Sequence, residues 1–380
     1  MTPSPTSAPT EVVLVMPCLN EAQNLMQTCH SLGFGSNIDE TPESSSLIIV
    51  DNGSTDGTPE VAEQLQRASP RDRVHLVKET ERGFVPARHR GNLLARRLSQ
   101  SAEWDLHNVL ILQVDADCEY QPGYIAAMKR AAESQQTNVM IEACVDYPAE
   151  FKLRQDQYVR ICDQIDTEFE KLFPRILSHD DIVVDAVSGY RLADYFNWGG
   201  HQREFMSAED EIYAETTRMF MRARTKGAER FRVNDGMALH SARKALENPA
   251  LHMATAGFPR EDSWNKRWVQ NYRGPTNILD LSAQRDHPEV QRVIRTREEH
   301  LLGLMGVLPL HVDRALGQAA DNNIGIDVLS AKILPLLPLR TLSDVSSHPG
   351  VLITDVFDLI ATHGSELLAQ ARQAMDKTAR

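Results

Sequence analysis

Leu47-Ile48-Ile49-Val50-Asp51-Asn52-Gly53-Ser54-Thr55-Asp56-Gly57-Thr58-Pro59 carries the first decision about the fold. Leu47 to Val50 is a continuous apolar run, the pattern of a strand covered on both faces. Asp51-Asn52-Gly53 stops it with turn formers. Thr58-Pro59 then starts a helix, with Thr58 as N-cap and Pro59 at the first helical position, where a missing N–H costs nothing. Val61 and Leu65 lie one above the other on that helix. The same grammar runs outward in both directions. Val12 to Met16 is an apolar run ended by Pro17, followed by a helical stretch from Asn24 to Leu32 and a Gly/Ser/Pro-rich loop from Gly33 to Ser46. Val74 to Val77, a helix from Val85 to Leu98, and Val109 to Val114 follow. Unbroken apolar strands separated by helices predict an α/β, Rossmann-like fold: a mostly parallel sheet with helices on both faces.

From about residue 150 the pattern turns helical, with Phe151 to Phe173 the longest candidate and another helix expected near Ser207. The last hundred residues read as a helical C-terminal region: Pro288 to Met305, Asp313 to Asn322 and Val351 to Met375. Leu301 to Leu310 is apolar but far short of the ~20 residues of a membrane span, so core or oligomer contact is expected. The 380 residues are 42% hydrophobic and 24% charged, which excludes collagen-like, mucin-like and largely disordered chains. The opening MTPSPTSAPT is polar, with neither the basic nor the apolar region of a secretory signal. Five scattered cysteines without CxxC spacing read as reduced thiols in a cytosolic protein. A net charge of -13 disfavours nucleic-acid binding. An anionic substrate would need local neutralisation, by a metal ion or a few arginines.

In parallel α/β sheets ligands bind beyond the C-terminal ends of the strands. Those ends carry Pro17-Cys18-Leu19-Asn20-Glu21, Asp51 to Gly57, and Asp115-Ala116-Asp117. Turn formation alone accounts for Asn52-Gly53. It does not account for acidic or amide clusters at three strand ends. Asp115 and Asp117 repel each other directly after a buried strand, and a hard divalent cation would relieve that repulsion. It would also bring positive charge for a diphosphate.

These residues resemble glycosyltransferase family 2, nucleotide-sugar transferases with the GT-A fold. Pro17 to Glu21 is similar to the family's Pro-x-x-Asn-Glu, and Val50 to Thr58 to its Val-Asp-Asp/Asn-Gly-Ser-x-Asp-Gly-Thr. Gly83 to Asn92 is similar to its Ala-Arg-Asn-x-Gly segment, with His89 in place of the common Asn. Asp115 to Asp117 is its Asp-x-Asp, and Ser188-Gly189, Gly199-Gly200 and Ser207 to Glu211 resemble the acceptor-side region. The resemblance covers about residues 11 to 245. It implies a nucleotide-sugar site in which Asn20 and Glu21 belong to the opening motif, Asp51 accepts a hydrogen bond from base or ribose, and Pro17 and Leu19 line the base pocket. Arg88 would approach the base or diphosphate, Asp115 the ribose or sugar, and Asp117 would hold Mn²⁺ or Mg²⁺ bridging the diphosphate. Asp210 would be the general base of an inverting transfer. Ser207-x-x-Asp210 also fits a helix capping box; with Asp210 engaged as a cap, Glu209 becomes the alternative base. His240 is either a metal ligand or structural, and Arg243 either a diphosphate contact or an ordinary surface residue. Trp198 reads as an acceptor platform or as core, and Arg218, Arg222 and Arg224 as a solvated helix face.

A dehydrogenase would show GxGxxG after the first strand, where Pro17 to Glu21 stand instead. A nucleotidyltransferase would need a Gly-rich basic loop there. A non-catalytic nucleotide- or sugar-binding scaffold and a retaining transferase on the same fold are the alternatives. The expected organisation is a disordered tail (1–10), a GT-A domain (11–245, with 11–120 for the nucleotide sugar and 121–245 for acceptor and catalysis) and a helical extension (246–380). Expected partners are a donor, with UDP-sugar favoured, and a glycan, lipid-linked or small-molecule acceptor. No nucleic acid and no transmembrane segment are expected. The C-terminal helices offer contacts for a homo-oligomer, and the expected location is cytoplasmic, including the inner face of a membrane.

Overall fold

The computed structural model describes residues 11–35, 45–70, 72–172, 181–207, 210–255, 284–318 and 328–378. The tail at 1–10 lies outside them. Two units divide the chain: Met1–Pro148 with Val183–Arg203 and Glu215–Ser241, and Ala149–Ile182 with Glu204–Ala214 and Ala242–Arg380.

The first unit is built on a sheet of eight strands. They are β1 (Glu11–Cys18), β2 (Ser45–Asp51), β3 (Val74–Lys78), β4 (Val109–Gln113), β5 (Cys118–Tyr120), β6 (Val139–Asp146), β7 (Ser188–Arg191) and, numbered after a hairpin described below, β10 (Glu229–His240), in the order β3-β2-β1-β4-β7-β6-β10-β5. β1, β2, β3 and β4 are mutually parallel, and β7 and β5 are the antiparallel members. The sheet is therefore mostly parallel, as the apolar runs predict. Helices α1 (Leu25–Ser31), α2 (Thr58–Ala68), α3 (Phe84–Ser101) and α4 (Tyr124–Ser134) supply its cover.

The continuous runs follow from this two-sided cover. Leu14, Met16, Leu47 and Ile49 pack with Leu25, Leu65 and Met128 on one face. Their neighbours Val13, Val15, Ile48 and Val50 pack with Ala87, Ala95 and Phe220 on the other. Each such aliphatic side chain contributes roughly 1.5–3 kcal/mol through burial. Gly91 lets α3 come close to the sheet, since a Cβ there would collide with Val15. In register, Cys18 lies opposite Asp51, and Val15 opposite Gln113. The polar ends of β1, β2 and β4 thus share one edge. Chain order reverses between β1 and β4, which opens the crevice where α/β proteins take ligands.

In the second unit, α5 (Ala149–Arg154) and α6 (Asp156–Leu172) replace the single helix expected from Phe151 to Phe173. Residue 173 lies outside the described residues. Pro288–Leu301 runs through a π-helical turn (Leu302–Val307) into Leu308–Ala315, so the breaks expected near residues 305 and 313 are absent. Pro309 falls directly after the π-helical turn, at the start of the final segment. Leu301, Leu302, Leu304, Val307 and Leu308 are buried, which settles that run as core. Arg297 holds Asp166 of α6 with Nε and Nη2 at 2.8 and 2.6 Å. Gly350–Thr378 forms one long helix. Among the described residues no helix is long and apolar enough to cross a membrane. All five cysteines are free thiols.

Candidate active site

The loops after β1 and β2 are knitted together by their own motif side chains. Asn20 adopts a left-handed backbone (φ 58). Its Oδ1 accepts from Thr55 N at 2.8 Å, and its N–H donates to Ser54 Oγ at 3.0 Å. Glu21 N donates to Thr58 Oγ1 at 2.8 Å, and Ala22 N to Asp56 Oδ2 at 3.2 Å. Buried Asn52 reaches the loop after β3, donating to the carbonyls of Glu79 and Glu81 and accepting from Gly83 N. Asn20, Asn52, Asp56 and Thr58 therefore shape the crevice. The Asp51 carboxylate accepts from Ser54 N, at Oδ1, at 3.0 Å. Pro17 is half-buried, and Leu19 is 43% exposed.

Arg88 projects from α3 beneath the end of β4, where it is buried. Each arm of its guanidinium has a separate partner. Nε donates to Glu215 Oε1 at 3.0 Å, Nη1 to Gln113 Oε1 at 3.1 Å, and Nη2 to Asp115 Oδ1 at 3.0 Å. Asp185 Oδ1 lies 4.0 Å from Nε. Gln113 passes the network on through Nε2 to Tyr190 Oη at 2.7 Å. Burial opposes a charge on Arg88, but Asp185, Asp115 and Glu215 outweigh it and hold its pKa above the usual arginine range. Burial, and next the Glu215 carboxylate, push Asp185 up to about 7, with Arg88 pulling the other way. The expectation that Arg88 meets the base or diphosphate finds it instead inside the protein. Its three donating arms are spent on Asp115, Gln113 and Glu215, so its effect on a ligand passes through Asp115.

Asp185 makes a pH prediction. A folded pKa raised above the ordinary ~3.9 means the native state holds this proton more tightly than the unfolded chain. That contribution to stability is complete at low pH and is lost as pH rises through about 7. Asp185→Asn is permanently neutral. It is expected to melt above wild type at about pH 8, with the difference narrowing at about pH 5 and closing only below about pH 4. Calorimetry across this range checks it, and an offset independent of pH would contradict it.

The Asp115-Ala116-Asp117 turn is pinned on both sides. Thr28 of α1 donates to Ala116 O at 2.9 Å, and Asp115 N donates to Tyr120 Oη at 2.9 Å. Asp115 and Asp117 are both half-buried. Their carboxylate oxygens and the Cys118 thiol lie within 4.8 Å of one another. His240, at the end of β10, pairs in register with Cys118, with Nδ1 3.3 Å from Sγ. Two carboxylates and a thiol at this turn fit a divalent cation, with the His240 imidazole against the thiol. Of the residues the sequence singles out, Asp115 and Asp117 meet, and His240 reaches them through Cys118, a neighbour the sequence does not single out.

The helix expected from Ser207 is a correction. Phe205–Ser207 (β8) and Asp210–Glu211 (β9) form a small antiparallel hairpin in the second unit, with Ser207 opposite Asp210. The capping box is absent because those residues pair as strands. Ile212 is buried beyond the hairpin and is not helical. The helix α8 begins later (Glu215–Arg224), after Ala214 in a left-handed backbone (φ 60). Glu209 lies outside the described residues, and Asp210 is placed only as a member of β9. Arg243 opens a short helix, Arg243–Glu247, in the second unit. Trp198 is core, with Nε1 donating to Asn138 Oδ1 at 2.8 Å. Arg218 and Arg222 are also corrections. Both are buried and donate to the carbonyls of Gln202 and Gly200, so the expected solvated face holds only for partly exposed Arg224.

Glu215 and Asp185 are the site residues that sequence reading missed. Thr216, Met219, Phe220 and Ala223 repeat at helical spacing, which would have started α8 at Glu215 and put that acid in its first turn. Asp185 gives no comparable signal, since its place depends on β7 lying between β4 and β6.

The family model described as "Glycosyl transferase family 2" matches residues 13–239. No curated protein matches the chain in sequence. Among solved structures, a mannosyltransferase from Pyrobaculum calidifontis in complex with GDP-Man and Mn²⁺ is 16% identical, with 95% of this chain and 89% of that one covered and a TM-score of 0.44. S. aureus TarS 1-349 is 14% identical, covering 82% and 87%, with a TM-score of 0.39. Glucosyl-3-phosphoglycerate synthase from Mycobacterium tuberculosis, in complex with Mn²⁺, UDP and phosphoglyceric acid, is 13% identical, covering 61% and 70%, with a TM-score of 0.36.

Proposed function

The chain belongs to glycosyltransferase family 2 and is a glycosyltransferase; on that premise we propose that it transfers a sugar from a nucleoside-diphosphate sugar, UDP-sugar first among them, to an acceptor hydroxyl with inversion. The observation that carries this reading is the pairing of Asp115 and Asp117 just after β4, with Cys118 and its contact His240 alongside, beside the crevice formed by the β1 and β2 loops. Residues 11–120 are assigned to the donor, 121–245 to acceptor and catalysis, and 246–380 to an extension. A cytoplasmic location fits a nucleotide-sugar donor.

Asp51 accepts from the base or ribose, while Pro17 and exposed Leu19 offer an apolar surface to the base. Asn20 and Glu21 fix the loop under it. Asp117 and His240, with Asp115, would hold Mn²⁺ or Mg²⁺, which supplies positive charge to the leaving diphosphate. Asp115 is oriented by Arg88 Nη2. Asp210 takes the proton from the acceptor hydroxyl as that oxygen attacks the anomeric carbon from the face opposite the nucleotide. Glu209 is the second candidate for this role, and Arg243 a contact for the diphosphate.

The test is a thermal-shift panel with UDP, GDP, CDP and dTDP, each with Mn²⁺ and with EDTA. One nucleotide should stabilise the protein only with metal. A ligand at ~100 times its Kd adds ~2.7 kcal/mol, a shift of several degrees. No shift with any nucleotide favours the non-catalytic scaffold. Asp210→Asn should keep that shift and lose transfer by ~10²-fold or more; transfer at wild-type rate removes Asp210 from the mechanism. The anomeric configuration of the product separates inversion from retention.

A further inference from the structure

In the second unit, Leu334-Pro335-Leu336-Leu337-Pro338-Leu339-Arg340-Thr341-Leu342 turns three of its leucines outward. Leu336 is 47%, Leu339 85% and Leu342 53% exposed, and Pro335 and Pro338 are exposed beside them. Ile333 and Leu337 point the other way and are buried, so they anchor the segment from within. Its backbone is clamped as well. Arg314, on the helix Leu308–Ala315, donates from Nη1 to Leu334 O at 2.6 Å and from Nη2 to the carbonyls of Leu337 and Pro338. Arg340 holds Asp355 of the long C-terminal helix through Nε and Nη2, at 2.7 and 2.8 Å. Thr341 and Asp344 close a capping box at the start of Leu342–Ser347. The two prolines restrict the chain further. The outer leucines cannot turn inward without giving up these bonds. One exposed leucine needs no explanation, but three within one clamped stretch form an apolar ridge that does.

We propose that the Leu336-Leu339-Leu342 ridge seats in the interfacial layer of a phospholipid bilayer and docks the protein reversibly on a membrane surface. Three features favour lipid over a second copy of the chain. Three leucines and two prolines offer roughly a few hundred Å², short of the ~800 Å² per partner of a stable protein interface. A side chain that projects as far as Leu339 needs a matching pocket on a protein, whereas a fluid bilayer accepts it without one. The charge also fits. The chain carries a net charge of -13, yet from Val328 to Leu342 it holds Lys332 and Arg340 and no acid. Arg340 answers Asp355, and exposed Lys332 donates to the neutral amide of Gln370 at 3.1 Å, so its positive charge stays available to anionic headgroups. With no membrane-crossing helix among the described residues, such a contact is interfacial. The inference stands apart from the donor reading, because lipid binding requires neither nucleotide nor metal.

The experiment is co-sedimentation of the full-length protein with vesicles of phosphatidylcholine mixed with phosphatidylglycerol, without nucleotide or metal. Wild type is expected to sediment with them, and less with vesicles of phosphatidylcholine alone. The combined Leu336→Ser, Leu339→Ser and Leu342→Ser variant should lose binding to the mixed vesicles by ~10-fold or more. Leu339→Ser alone should lose a smaller share, which keeps the test open if the combined variant folds poorly; melting curves identify such a protein. Leu153→Ser removes an exposed leucine on another helix of the same unit and should bind as wild type. Wild type that stays in the supernatant with both vesicle types overturns the proposal. So does binding that survives in the combined variant, or that Leu153→Ser weakens as much. Light scattering after size exclusion tests the rival occupant. A dimer that Leu339→Ser converts to monomer, with no vesicle binding, assigns the ridge to a second copy of the chain and overturns the membrane reading.

Discussion

Asp117→Asn is expected to abolish the Mn²⁺-dependent stabilisation by nucleoside diphosphate and to change the melting of the metal-free protein little. The substitution keeps the side chain's shape and removes its charge. Its weight comes from how the neighbouring charges are already spent. Asp115 gives one oxygen to Arg88 at 3.0 Å, so part of its charge is neutralised from below. Asp117 is the second acid of the turn, and a cation there needs its charge beside what remains of Asp115's. Removing it takes away a ligand and part of the electrostatic attraction together. The whole metal-dependent increment is at risk, ~2.7 kcal/mol at a ligand concentration of ~100 times Kd. Thermal melts with Mn²⁺ and nucleotide, against melts in EDTA, check the prediction. The competing reading makes Asp117 a turn former after β4. It predicts the reverse pattern, a lower melting temperature in EDTA and an undiminished nucleotide shift.

The sheet was legible because its cause is local. Leu47 to Val50 must be covered on both faces, and Asp51 to Thr58 spells out a stop, a turn and a helix start within the same stretch. The Asp115–Asp117 pair was legible for the same reason, since adjacent carboxylates after a buried strand state their chemistry without a partner. Arg88 was not. Its position in a familiar segment pointed outward to a ligand, but three acids from distant parts of the chain draw it inward, and Asp185 and Glu215 become visible only when β7 and α8 are in place. Ser207 to Glu211 misled for a different reason. Ser-x-x-Asp satisfies a helix cap on paper. The cross-strand pairing of Ser207 with Asp210 uses the same residues in a hairpin, and no local rule chooses between the two. Arg218 and Arg222 read as solvated because arginine usually is. The carbonyls of Gln202 and Gly200 supply the acceptors that let them go inside. Cys118 gave no signal because its contact, His240, lies more than a hundred residues away in sequence.

Arg88→Met should produce the largest loss of stability of any single change at the site, ~3–5 kcal/mol. Methionine fills much of the same volume, so packing is not the main cost. What it cannot do is answer the acids. Asp115, Asp185 and Glu215 surround the guanidinium, and Glu215 is 5% exposed. Without Arg88 these carboxylates must remain charged without their buried cation, or take up protons. Both routes cost free energy near neutral pH, where the unfolded chain keeps its acids ionised in water. The second route fixes the sign of the pH dependence. Loss of the cation raises the carboxyl pKa values in the folded variant, so its deficit against wild type should shrink as pH falls and the acids are neutralised. Denaturant unfolding at about pH 7.5 and about pH 5 measures this directly. Arg88→Lys separates charge from geometry. A single ammonium restores most of the Coulomb attraction but cannot span Glu215, Gln113 and Asp115 with three divergent donors. It should recover much of the stability and still leave Asp115 misoriented, with weakened metal-dependent nucleotide binding. A deficit of equal size at both pH values would mean that Arg88 acts through packing alone, and that the acids around it are neutral already.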